Sequence, residues 1–280
     1  MLPQLPVEVW EKVIDQLRQY PRELSKCSLV CKSWYARAQY HLVVTTTLLN
    51  PPQVYRFATL LRKLTELRAR VKQVIIRGAA SNLSRSRRAI PHFGTFTLML
   101  AQKLPAVETL CIYDAIWELG PSHVSSVYVH LRSFTSITEL RLLRTTFPTK
   151  LALARLICAL PGLTTLACTA VDFRSPAWNT ATFCAIPPRV KDIRLDGPSD
   201  DVAELFATQL GIAASMEEFT AGWAYTAKDV PSDAAIMSML QRTGPILRRA
   251  NIRLRCPPAM YTGTQLTKDK TRPSLGMFVT

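Results

Sequence analysis

The chain has 280 residues, of which 48% are apolar, 8% aromatic and 20% charged. This suggests about two domains at roughly 150 residues each, and the make-up excludes disordered, collagenous and coiled-coil classes. The net charge of +15 is concentrated: residues 46–90 carry ten Lys/Arg against one Asp/Glu and residues 246–280 seven against one, whereas residues 91–245 carry twelve against fourteen. A nucleic-acid binder needs a basic stripe across its working surface, so this distribution disfavours nucleic acid as a partner.

In chain order, Leu5-Pro6 opens the first periodic segment. Val9, Trp10, Val13, Ile14 and Leu17 follow at the spacing of an amphipathic helix. Pro6 suits its first position, and Glu8 and Glu11 stand near the positive end of its dipole. Tyr20-Pro21 ends it, because a residue before proline is driven out of the α region. A second helix is predicted from about Arg22 to Gln39, with Leu24, Cys27, Val30, Cys31, Trp34 and Ala38 as its stripe. Two or three short helices cannot bury Val9, Trp10, Val13, Leu24, Val30, Trp34 and Tyr35 among themselves. Some of this set must face another body, either the rest of the chain or a partner.

The runs LPVEVWEKVIDQL and LSKCSLVCKSWYARAQYHL, in this order and spacing, resemble an F-box over residues 4 to about 42. The resemblance implies a three-helix module that docks on a Skp-type adaptor of a cullin–RING ubiquitin ligase. Carried over by position, the adaptor-facing candidates are Leu5, Pro6, Val9, Leu24, Cys27, Val30, Cys31 and Trp34. Trp34 leads, since buried tryptophans dominate interface energetics.

Downstream, three apolar residues at i, i+3 and i+5 recur. The copies are Val71-Val74-Ile76, Val107-Leu110-Ile112, Ile137-Leu140-Leu142 and Leu163-Leu166-Cys168, then Val190-Ile193-Leu195, Met216-Phe219-Ala221 and Leu247-Ala250-Ile252. Between them lie helical runs: Gln53–Lys63, Phe96–Lys103, Val124–Phe134, Lys150–Leu160, Asp200–Leu210 and Asp233–Leu240. One strand and one helix per unit resembles the longer leucine-rich repeats, whose units cannot bury their apolar faces alone and must stack. The asparagine usual after such a core is missing, with Gly78, Asp114, Arg144, Ala170 and Gly197 near its place. The competing reading is an ordinary α/β domain with unrelated strands. The expected fold class is therefore α/β: an all-α F-box (1–45), a leucine-rich-repeat-like solenoid with a parallel sheet and outer helices (46–256), and a poorly ordered basic tail (257–280).

If the apolar triads point inward, the alternate residues share the opposite face of the sheet. That phasing puts Arg77, Tyr113, Glu139, Arg141, Asp192, Arg194, Asp196 and Glu218 on one surface, joined by Arg253 and Arg255, as substrate-binding candidates. The basic stretch Arg62–Arg88 reads either as a patch for nuclear import or an acidic partner, or as a solvated face, with Ser81–Ser86 a mobile loop.

Seven cysteines without a CxxC pair read as free buried thiols in a reducing compartment. Glu8 argues against a signal peptide, and the longest apolar stretch, Leu151–Val171, is broken by Arg155 and Pro161-Gly162, so no membrane span is expected. No HExxH, GxSxG, phosphate loop or dinucleotide fingerprint occurs. The expectation is a cytoplasmic or nuclear non-enzyme with no cofactor or metal: a substrate-recognition subunit of a Skp–cullin–F-box ligase. The alternative is a repeat scaffold acting outside ubiquitination.

Overall fold

The computed structural model describes residues 6–78, 86–118, 126–175, 178, 186–197, 200–224, 233–243 and 246–255. Three helices come first: α1 (Val7–Gln16), α2 (Pro21–Cys27) and α3 (Lys32–Leu42). Pro6 stands just outside α1 rather than at its first helical position. The chain breaks at Tyr20, and Pro21 begins α2.

The single helix expected over 22–39 is two helices. Leu29 and Val30 donate backbone bonds three residues back, to Lys26 and Cys27, and Cys31 is fully extended at φ −160° as the N-cap of α3. Packing supplies the reason. Leu24 and Ala38 both join Ile14 in one small core, edged by Leu17, Cys27, Trp34 and Leu42. On an unbroken helix Leu24 and Ala38 would sit about 21 Å apart along the axis, too far to close over the same site.

Ten strands then form one sheet in which every described pairing is parallel. They are β1 (Thr45–Leu48), β2 (Gln73–Arg77), β3 (Arg88–Ala89), β4 (Thr109–Ile116) and β5 (Glu139–Thr149). The rest are β6 (Thr165–Thr169), β7 (Asp172–Ser175), β8 (Asp192–Asp196), β9 (Glu218–Ala224) and β10 (Arg249–Arg255). The main path follows chain order, β1-β2-β4-β5-β6-β8-β9-β10, with β3 pairing on β4 and β7 on β5. Helices α4 (Pro51–Lys63), α5 (His92–Leu100), α6 (Ser126–Leu131), α7 (Lys150–Cys158), α8 (Asp200–Glu204) and α9 (Asp233–Thr243) lie on the connections.

The recurring triads are the inward rows of this sheet. Val74, Leu110, Leu140, Leu166, Ile193 and Phe219 stand opposite one another across successive strands, each 0% exposed. Helix residues such as Phe57, Leu61, Phe96, Leu131 and Leu156 close the same continuous core. Each such side chain contributes about 1.5–3 kcal/mol by leaving water. The seventh triad departs from the pattern: Ala250 is exposed and Ile252 is 50% exposed, because β10 is the last described strand and has a neighbour on one side only. An unexpected strand, β1, precedes the seven, with Thr46 opposite Val74 and Leu48 opposite Ile76.

Four strands reach a left-handed residue at the same register, two places after the third inward position. Asp114 (φ 53°), Arg144 (φ 50°), Ala170 (φ 50°) and Gly197 (φ 58°) occupy the places where leucine-rich repeats usually carry an asparagine. Along β4 and the residue that follows it the inward residues are Leu110 and Ile112 before Asp114, then Ala115 and Trp117 after it; in β5 they are Leu140 and Leu142, then Thr145 and Phe147. One left-handed residue thus shifts the pleat by one position, as a bulge does. A Cβ on Gly197 would meet nothing within 4 Å, so Gly197→Ala isolates the backbone cost. It should destabilise by about 1 kcal/mol in urea denaturation, and an unchanged midpoint would contradict this account of the turn. Gly78, at the equivalent place in β2, is required for a different reason. A Cβ there would lie 2.3 Å from the Arg88 carbonyl oxygen and 2.4 Å from that of Asp114.

Candidate interaction surfaces

Asp15 ties α1 to α3. It accepts from Arg37 through Nε (2.6 Å) and Nη2 (2.5 Å), and its other contact is His41 Nε2 at 2.7 Å. The Arg37 pair, helped by His41, holds its carboxyl down at about 2.

The eight adaptor candidates separate on this frame. Leu5 lies outside the described residues. Leu24 is not surface at all but the centre of the small core. Cys27 and Trp34 are half-buried beside it, and the Trp34 ring packs 4.9 Å from that of Trp10. Pro6, Val9, Val30 and Cys31 are exposed. Cys31 is thus not the buried thiol expected, and it does not lie one turn from Cys27 on a shared helix; the Ser33 hydroxyl (3.2 Å) and the Trp34 N–H pull its thiol below the ordinary value. Val13 and Tyr35, part of the apolar surplus expected to face another body, are exposed as well, and so are Val7, Tyr20 and Leu29, which the sequence reading missed. Leu29 at 86% and Val30 at 61% stand at the α2–α3 break, so the same break that closes the core turns these two outward. The core of the three helices and the core under the sheet are separate clusters. The rest of the described chain therefore leaves this apolar set uncovered.

The second surface is the sheet face opposite the helices, and all eight substrate candidates lie on its strands in the expected phase. Glu139, Thr165, Asp192 and Glu218 form one row, and Arg141, Ala167, Arg194 and Thr220 the next. Arg77 pairs in register with Tyr113, and Asp196 with Thr169 and Gly222. Arg141 makes a bidentate pair with Glu139 (2.7 and 2.9 Å), and Arg194 pairs with Asp192 at 2.5 Å. Burial works to raise the Glu139 carboxyl, but Arg141 and the Thr109 hydroxyl outweigh it and bring it below the usual range. Tyr113 is pushed up to about 12 by burial and by its bond to Cys111. Two cation–carboxylate pairs thus flank a strip floored by Thr165, Ala167 and Thr169 on β6. Gln73, Cys111, Leu143 and Ala167 share the face, and the same alternation places them there. The side chains of Arg253 and Arg255 lie outside the description.

The basic stretch is largely engaged within the fold. Arg68 Nε donates to the Leu61 carbonyl (2.9 Å), the Arg70 guanidinium lies 3.8 Å from the centre of the Tyr40 ring, and Lys72 pairs with Glu108 at 2.5 Å. Arg77 pairs with Asp114 at 2.9 Å, and Arg87 donates to Thr146 (2.6 Å), Asp172 and the Ala170 carbonyl (3.2 Å). Arg68, Arg70, Arg77 and Arg87 are partly buried in these contacts, whereas Arg62, Lys63, Lys72 and Arg88 are exposed, as the solvated-face reading expects; Ser81–Arg85 lie outside the described residues. Among the described residues no group of three potential ligands could hold a metal ion, and no helix is long and apolar enough to cross a membrane.

A family model for F-box-like domains matches residues 2–44. That span holds α1, α2 and α3 and stops one residue before β1. F-box domains generally bind Skp-type adaptors, and the matched span carries the exposed Val7, Val9, Val13, Tyr20, Leu29, Val30 and Tyr35. No curated protein matches the chain.

Proposed function

We propose that the protein is a non-catalytic substrate receptor of a Skp–cullin–F-box ubiquitin ligase. Its N-terminal helices dock on the Skp-type adaptor, and its sheet domain, an irregular leucine-rich-repeat-like array, holds a protein substrate. It works in the cytoplasm or nucleus, where the ligase and its targets meet. The mechanism is proximity: binding raises the effective concentration of substrate lysines near a ubiquitin-charged enzyme elsewhere in the complex. The observation that carries this reading is the coincidence of the F-box-like match with an apolar surface that the rest of the described chain does not cover. The repeat reading draws support from the chain-ordered parallel sheet and from its left-handed residues at one register. For the substrate, the Glu139–Arg141 and Asp192–Arg194 pairs form a mixed-charge face suited to a protein segment.

The test uses the intact chain. Leu29→Asp with Val30→Asp should reduce adaptor capture at least tenfold while leaving the thermal unfolding midpoint in place, because both side chains already face water. Trp34→Ala is the poorer probe, since Trp34 also packs the core against Trp10. Undiminished capture by the double variant would remove the adaptor assignment from this surface.

A further inference from the structure

Where β4 and β5 run out against the start of α7, a cavity of about 340 Å³ opens between Trp117, Tyr128, Pro148, Leu151, Ala152 and Arg155. Its size is at the low end of ligand pockets, roughly 300–1,000 Å³, enough for one large side chain and a small polar group. One wall is rigid. The Trp117 ring lies 4.8 Å from Phe93 and 5.2 Å from Phe147, both fully buried, and Tyr128 lines the cavity beside it.

The charges around the cavity do not cancel. Glu118 on its rim is matched by Arg174 at 2.5 Å. Lys150, at the start of the same helix, is answered by Asp201 (2.8 Å) and Glu204 (2.5 Å). Arg155 forms no ion pair among the described residues, although it stands close enough to act on Tyr128. Thr149 caps the Ala152 N–H at 3.3 Å at the start of this helix. What remains is an apolar, aromatic-walled slot edged by the exposed Arg155 guanidinium, which has no ion pair among the described residues, and by the Tyr128 hydroxyl.

We propose that this cavity binds a protein segment in which an apolar side chain stands next to a carboxylate. The side chain fills the slot against Trp117, Pro148 and Leu151, and the carboxylate meets Arg155 and Tyr128. Guanidinium–carboxylate contacts of this kind supply both orientation and strength. A chain terminus or an acidic residue can provide the carboxylate. That the segment belongs to a ubiquitination substrate rests on the receptor reading; the chemistry of the cavity does not.

Titration calorimetry on the full-length protein tests this with three probes. N-acetyl-Leu-Phe has a free terminal carboxylate, N-acetyl-Phe-Asp-amide an acidic side chain, and N-acetyl-Leu-Phe-amide is neutral. At least one acid should bind ten times more tightly than the neutral amide, and which one does so identifies the source of the carboxylate. Arg155→Gln should erase that advantage with the unfolding midpoint unchanged, and Arg155→Lys should restore part of it. Equal binding of acid and amide, no binding of any probe, or indifference to Arg155→Gln would overturn the proposal. Adaptor capture is scored on the same preparations. Capture without peptide binding overturns the cavity proposal alone, while peptide binding without capture leaves it standing and removes the receptor reading.

Discussion

Leu140→Asp should abolish cooperative folding of the sheet domain. Leu140 has no exposed surface, and it stands between Leu110 on β4 and Leu166 on β6 in the central inward row. The change removes about 1.5–3 kcal/mol of apolar burial and places a carboxyl where no polar group can answer it. Forced to stay neutral or to drag water inward, that group adds several kcal/mol more. Together the two effects match the whole stability of an ordinary domain, about 5–15 kcal/mol. Arg141→Ala, one residue on and facing the other way, is the control. It breaks an exposed pair with Glu139 and should cost less than about 1 kcal/mol. Urea denaturation followed by far-ultraviolet circular dichroism distinguishes the two. A Leu140→Asp chain with a normal transition would mean that this row is not the core.

Asp114→Asn has the next largest expected effect. The Asp114 side chain is 1% exposed and accepts from Arg77 Nε at 2.9 Å on one oxygen and from Arg144 on the other. Its backbone is left-handed, which Asn tolerates as well as Asp does, so the substitution leaves the turn alone and removes only the charge. Two arginines then converge on an amide. Removing one partner of a buried pair costs about 3–5 kcal/mol. Here Arg77 and Arg144 keep side-chain exposures of 21% and 32% and can turn toward water, which brings the expected loss to about 2–3 kcal/mol. A loss below about 0.5 kcal/mol in the same assay would show that the arginines need no carboxylate.

Inward rows were legible in the sequence because parallel strands joined by helices repeat the same contact, so Val74, Leu110, Leu140, Leu166 and Ile193 had to be apolar at one phase. β1 escaped notice because Thr46 fills the middle position of its triad, and β3 and β7 because two and four residues are too few to show a period. The break between α2 and α3 was hidden for the opposite reason. Leu24, Cys27, Val30, Cys31 and Trp34 fit one helical stripe perfectly well, and only the need to bring Leu24 and Ala38 together splits it. Periodicity shows which residues are apolar, but not which of them the tertiary fold keeps. Leu24 therefore went inside and Leu29, with no periodic signal, came out. The cavity beside Arg155 was not legible at all, since it is assembled from β4, β5, α6 and α7.

The passage from α3 into β1 takes only two residues. Val43 is buried in the core of the sheet domain, and Val44 gives its carbonyl to the amides of Lys72 and Gln73, each at 3.0 Å. The Arg70 guanidinium lies over the Tyr40 ring of α3, 3.8 Å from its centre. A chain pinned in this way is a bracket rather than a tether: it offers no slack through which one end can wander relative to the other. In the receptor role proposed above, where the two ends would hold an enzyme assembly and its target, such stiffness would turn selectivity into a matter of reach. Which lysine is modified then depends on where it projects from the bound target, and lengthening the bracket by a few flexible residues would widen that choice while weakening neither grip.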